Sequence, residues 1–382
     1  MYYTLNMLCP VLDPPARKRH MIRQIFPVFS RIIGLFLLTF LLFASESTAT
    51  PVDEAKGLLG QKKYGEVEKL LEKELGVKKP SAEVLELGML AAYYQGKIVS
   101  ADIYAEGLAK TDAKLGPGSL YVVGDIAALR GRNDEAVVRF LKFAASGSEK
   151  SPQRVRALAF ICDFGMEPSA MKAYVDLLGA NSHTYSKATS LFRRLFEKNA
   201  EDQALDELEL LLQCFPTQVA EVVGIVYGVV SQGAFQEPKR RERCLRILTA
   251  AKLGPSALAS FSQVFGALSP SLAAETRARL VLDTMKNWGL ALPYTLIDSF
   301  MAALSGIADL ELRAGLAREL LAYEPLYRKS ENRDDHFNFV YRVIANKQHF
   351  LIEGKEVLDG EKAMALTQAL VDRYGEEALP IG

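Results

Sequence analysis

The sequence predicts an all-α chain of helical hairpins, and three observations predict it. Hardly any stretch after Pro51 alternates apolar and polar residues with the period of two that a half-buried strand needs. Apolar positions recur instead at every third or fourth residue, as in Val67, Leu70, Leu71 and Leu75, or Ala136, Val137, Phe140, Leu141 and Ala144. That spacing gathers them on one face of a helix. Short breaks carrying Gly, Pro, Asn or Asp separate the apolar stretches, at 76–80, 116–118, 131–133 and 147–152. Helices joined by such short turns fold back as antiparallel pairs.

Composition narrows the function classes. The chain has 382 residues, with 46 Lys and Arg against 46 Asp and Glu. This balance argues against a nucleic-acid binder working through bulk charge. Hydrophobic residues at 49% and charged residues at 24% exclude wholesale disorder. Four Cys are too few for a disulfide scaffold.

The first element is an address. Arg17, Lys18, Arg19, Arg23 and Arg31 precede an uninterrupted apolar run over 32–44, and small residues follow at Ser47 and Ala49. Positive flank, apolar run and small-x-small pattern describe a secretory signal peptide cleaved after Ala49. The run falls short of the roughly 20 residues that span a bilayer. A periplasmic protein without a stable membrane span is therefore expected, with an uncleaved inner-membrane anchor as the alternative. Removing 1–49 leaves 41 basic against 44 acidic residues, so the mature chain is slightly acidic. Cys162, Cys214 and Cys244 remain, each in an apolar helical context that suits a buried small hydrophobe.

The next elements repeat. Lys63-Tyr64-Gly65-Glu66-Val67 aligns with Lys97-Ile98-Val99-Ser100-Ala101 and with Arg132-Asn133-Asp134-Glu135-Ala136. Val67, Ala101 and Ala136 are thus 34 and 35 residues apart. A helical hairpin of that period resembles the tetratricopeptide repeat family. The best copy runs over 120–145, with Gly124 in the first helix, the turn Arg130-Gly131-Arg132-Asn133, then Ala136 and Phe140. The resemblance covers 52–152 and departs from the family at Gly88, one place early, and at Glu74. It implies a right-handed superhelical solenoid whose concave surface is lined by each repeat's first helix. The groove-facing places it assigns are Glu83, Glu86, Leu90, Tyr93 and Tyr94, then Tyr121 and Asp125 in the next copy. Tyrosines interleaved with acids suit a protein or peptide segment, since Tyr supplies area and a hydrogen bond at low entropy cost.

Beyond Pro152 the family pattern fades while helices continue. They are expected near 153–164, 168–178, 185–199, 202–214, 218–232, 240–252, 256–268, 271–288, 294–305, 310–323, 335–348 and 361–374. Ser256 and Ser271, each after a proline, are suited to cap helices. The β-branched stretch 219–230 reads as a buried helix with Gly224 and Gly228 on one packed face. The organisation expected is a signal over 1–49, repeats over 50–152, and degenerate helical repeats over 153–382 ending in a cap near Leu379.

Little catalytic chemistry is visible. There is no His-Glu-x-x-His, paired Cys-x-x-Cys, Gly-x-Ser-x-Gly or phosphate-binding loop. Asp334-Asp335-His336 could contribute metal ligands, with His349 as the one further donor, but reads better as an acidic helix start. The cluster Lys239-Arg240-Arg241-Glu242-Arg243 with Arg246 could meet an anion, but reads better as a helix balanced by acids elsewhere. Carboxylates at Asp206, Glu207 and Glu209 read as an exposed helix face. The expectation is an exported, non-catalytic scaffold without metal or cofactor. The alternative is an envelope enzyme or glycan-binding protein with its site in the C-terminal half.

Overall fold

The structure, a computed structural model, describes residues 50–111, 113–147, 150–352 and 355–375. The expected signal segment 1–49 and the expected cap near Leu379 lie outside these residues. The described residues form two compact units, one up to Lys114 and one from Leu115 onward. Both are all-α apart from a two-residue antiparallel pair, β1 Leu351–Ile352 and β2 Lys355–Glu356.

In the first unit, α1 Pro51–Gly60, α2 Tyr64–Leu75, α3 Ala82–Tyr94 and α4 Ile98–Ala109 pack each on the next, and α1 also meets α3. Val67, Leu71, Leu87 and Ala91 close around Ala55 as the core.

In the second unit, α5 Pro117–Leu129 pairs with α6 Asn133–Ala145, and α7 Pro152–Phe160 runs through a π-turn, Ile161–Gly165, towards α8 Pro168–Leu178. There follow α9 Ser182–Glu197, α10 Glu201–Cys214, α11 Val219–Ser231, α12 Pro238–Ala250, α13 Leu258–Leu268, α14 Ala274–Trp288, α15 Tyr294–Ser305 and α16 Leu310–Leu321. The chain ends on α17 Glu324–Arg328, α18 Arg333–Ala345 and α19 Gly360–Tyr374. Two rows result within this unit. One runs α8, α10, α12, α14, α16; the other runs α9, α11, α13, α15, α18. Each helix therefore buries one stripe against its hairpin mate and others against its row neighbours.

The hairpin turns obey one rule. Lys62, Gly96, Gly131, Met166, Asn199 and Gly233 all have positive φ, and successive ones are 34, 35, 35, 33 and 34 residues apart. Around five of them the backbone bonds match: Lys63 N to Leu58 O, Lys97 N to Ala92 O, Arg132 N to Ala127 O, Ala200 N to Leu195 O and Ala234 N to Val229 O, at 2.9–3.1 Å. This six-to-one bond over a left-handed residue ends one helix and aims the next back along it. Five residues after each of the first five turns stand Val67, Ala101, Ala136, Met171 and Ala204. Four further on come Leu71, Ala105, Phe140, Val175 and Leu208, and all ten are buried. The same turn spacing therefore runs on to Gly233. Met166 and Asn199 stand in place of glycine at two of these turns, and after the last Pro238 and Glu242 stand where the earlier helices have their small and apolar residues.

The fourth turn is also built differently. The π-turn leaves backbone carbonyls without helical partners, and Arg194 donates to Cys162 O at 2.8 Å and to Asp163 O. Lys187 pairs with Asp163 at 2.7 Å. Gly165 packs so tightly that a Cβ there would lie 2.8 Å from Val137 Cγ1.

Three local expectations are corrected. Ser256 and Ser271 sit in 3-10 turns, Pro255–Ala257 and Ser269–Ser271, and cap neither following helix. Gly224 and Gly228 are not packed, for a Cβ on either would meet nothing within 4 Å. The helix buries Val222, Val223, Val226, Val229 and Val230 and leaves its glycines over an open cleft. The short α17, unforeseen, buries Tyr327, whose ring stacks on Phe339 at 4.2 Å and whose hydroxyl accepts from Leu292 N at 3.0 Å. Tyr327→Phe removes that acceptor from a buried N–H, so a loss of about 1–3 kcal/mol is expected in urea unfolding. A change inside ±0.5 kcal/mol, the usual range at neutral surface sites, would contradict the bond.

Candidate functional site

The face of α3 is set by its sequence, Ala-Glu-Val-Leu-Glu-Leu-Gly-Met-Leu-Ala-Ala-Tyr-Tyr. Ser81 caps it, its Oγ accepting from Val84 N at 3.3 Å. Val84, Leu85, Leu87, Met89, Ala91 and Ala92 are buried against the neighbouring helices. At 100° per residue, Glu83, Glu86, Leu90, Tyr93 and Tyr94 fall on one arc. These five predicted site residues of the first unit thus share one face. Glu83 is exposed and ion-paired with Lys56 of α1, and Glu86, Leu90 and Tyr93 are half-buried. Tyr94 keeps 50% of its surface exposed.

The rings at the end of α3 are ordered. Tyr94 stacks on Tyr64 with centroids 5.1 Å apart and planes inclined by 22°, and Tyr93 meets Tyr94 edge-on at 5.2 Å and 74°. Tyr64 was missed by sequence reasoning because it opens α2, outside the first helices taken to line the groove. Its place directly after the hairpin turn was the available signal.

Tyr121 and Asp125 behave otherwise. In α5 they are 8% and 2% exposed. Tyr121 lies between Phe140 at 5.7 Å and Phe143 at 5.4 Å, and Asp125 meets Arg156 at 2.7 Å. In the second unit these two assigned positions are core, because α5 is apolar nearly all round and buries most of its length. Neither offers a partner a face of its own.

The remaining candidates resolve into structural roles. The basic cluster at the start of α12 clamps α10. Arg240 pairs with Glu201 at 3.1 Å and Asp202 at 3.0 Å, Arg243 with Asp206, and Arg246 with Glu242 at 2.7 Å. Asp335 belongs to a helix start, accepting from Ser330 Oγ at 2.7 Å and Asn332 Nδ2 at 3.0 Å. His336 is buried and donates to Glu324 at 2.8 Å, while Arg328 grips the same carboxylate through two bonds of 3.0 Å. Burial lowers the His336 pKa, opposed by its bond to Glu324. Nothing is described of the His349 side chain. Cys162, Cys214 and Cys244 are free thiols among the described residues, and burial pushes Cys162 and Cys244 up to about 12, where the reactive thiolate is suppressed. Among the described residues no three His, Cys, Asp or Glu converge as a metal ion needs.

Glu207 departs most from expectation. It is fully buried in α10, and neither carboxyl oxygen has a hydrogen-bond partner among the described residues. Burial pushes it up to about 9, so it is a neutral acid inside a helical core.

No family model matches the chain, and no curated protein matches it in sequence.

Proposed function

We propose that the chain is an exported, non-catalytic adaptor that holds a segment of another protein on the α3 face. The single observation that carries this is the shared arc of Glu83, Glu86, Leu90, Tyr93 and Tyr94, with a half-exposed aromatic group at one end. Tyrosine-rich, partly desolvated patches are where binding energy concentrates. The recurrence of one turn every 33–35 residues supports a tetratricopeptide-like reading, in which first helices such as α3 line the binding surface. Export rests on the basic flank and the apolar run 32–44. Among the described residues no helix is long and apolar enough to cross a membrane.

The test is a selection of peptides from a random display library on the purified chain, with affinities measured by titration. Tyr93→Ala and Tyr94→Ala are each expected to weaken selected peptides about tenfold, as for an interface hot spot. Selected peptides that bind the double variant as tightly as the parent would place the site elsewhere and overturn the proposal.

A further inference from the structure

The outer face of α9 is set by helical spacing. Ser186, Ser190, Arg193 and Glu197 fall within about 60° of arc at roughly 100° per residue, and all four are exposed. The opposite stripe, with Ala188, Leu191, Phe192 and Leu195, is buried. Other charges of this helix are engaged, for Lys187 and Arg194 are both held by Asp163. Arg193 and Glu197 differ. Among the described residues neither makes an ion pair or a side-chain hydrogen bond. They stand four apart with the base first, the weaker of the two orders for a pair along one helix.

Beside these charges lies the open cleft between α9 and α11, about 620 Å³ in volume. Half-buried Phe196 and Ile225 wall it, and Gly224 and Gly228 leave its floor without side chains. Glu221, on the far rim, adjoins the Tyr185 hydroxyl.

A base and an acid one turn apart make a pattern that complements itself. A two-fold axis crossing α9 at right angles, midway between Arg193 and Glu197, lays the same helix of a second copy antiparallel upon it. The two residues are about 6 Å apart along the helix at roughly 1.5 Å per residue, so each lies close to that axis. Every Arg193 then faces the other copy's Glu197, and the pair forms twice, as an isologous interface demands. Ser186 and Ser190 are short, which lets two helices approach to an ordinary ~8–10 Å between axes. A segment of one charge sign would satisfy one of the two residues and be repelled by the other. A second copy satisfies both, and covering the cleft takes the exposed parts of Phe196 and Ile225 out of water. We propose that α9 and the cleft beside it join two copies of this chain as a two-fold dimer, with Arg193 of each on Glu197 of the other.

The experiment is analytical ultracentrifugation of the full chain across a dilution series, at low and high salt. The parent is expected as a dimer that dissociates on dilution, and more readily at high salt, where exposed pairs are screened. Arg193→Glu and Glu197→Arg should each weaken it about tenfold, because each sets like charges opposite one another. Mixed in equal amounts, the two variants should associate again, since the two acids of one chain then meet the two bases of the other. A chain carrying both reversals should dimerise like the parent. Recovery on mixing, together with unchanged thermal melts, separates a lost interface from a lost fold. A parent that sediments as a monomer throughout overturns the dimer. If a parent dimer ignores both reversals, another face holds it and this one is refuted. Variants that dissociate yet do not recover on mixing overturn the antiparallel pairing.

Discussion

Glu207→Gln should make the protein more stable at neutral pH. The carboxyl ionises near 4.5 in the unfolded chain but only near 9 in the fold, because burial without a partner disfavours the charge. The sign follows from proton uptake. Below pH 4.5 both states hold the proton and no penalty arises. As pH rises the unfolded state releases it, the folded state does not, and stability falls until the folded group also ionises near 9. At pH 7 the penalty is about 3 kcal/mol, taking roughly 1.36 kcal/mol per pH unit between 4.5 and 7. Glutamine keeps the shape and never ionises, so the variant avoids it. Urea unfolding followed by Trp288, the only tryptophan and a residue of the same unit, should show the gap at pH 7 and its closure near pH 4. A variant no more stable than the parent at pH 7 would mean that Glu207 is solvated or paired.

Phe140→Ala should cost about 3–5 kcal/mol, the usual range for emptying a buried aromatic site. The ring is fully buried, 5.3 Å from Phe160 and 5.7 Å from Tyr121. It also lies against Gly124, where an added Cβ would sit 2.8 Å from two ring carbons. That contact gives the prediction a second, sharper form. Gly124→Ala alone drives a methyl into a rigid ring and should destabilise, despite the gain of about 1 kcal/mol that alanine brings to a helix interior. In the Phe140→Ala background the ring is gone and only Arg139 Cβ, at 3.3 Å, remains close, so the same change should cost less than it does alone. A double-mutant cycle by chemical denaturation reads this coupling. Additive effects would show that the two positions do not touch.

Most of the fold was legible because its punctuation is local. Helices expected at 168–178, 202–214, 294–305 and 361–374 match α8, α10, α15 and α19 to within a residue or so, since Pro, Gly and the three-to-four apolar spacing act within a single turn. The first three hairpins were legible too, two of their turns carrying glycine at the left-handed place. What stayed hidden depends on neighbours. Nothing in Asp206-Glu207-Leu208-Glu209 says that the middle acid faces inward, because α10 is flanked in its row by both α8 and α12 and has less solvent face than its sequence suggests. Tyr121 and Asp125 looked like surface because nothing in their own segment shows that Phe140, Phe143 and Arg156 close over them. The five places on α3 were legible as one arc, while the ring cluster at its end needed Tyr64, brought in by the fold of the preceding hairpin.

The even spacing of the left-handed turns has a consequence for how the protein is made. Each hairpin closes on itself through contacts only a few dozen residues apart, so it needs nothing that is still to be translated. Within the unit from Leu115 onward each new hairpin can dock on the one before it, so folding can advance from the amino end as the chain emerges, from a ribosome or from an export pore, one increment at a time.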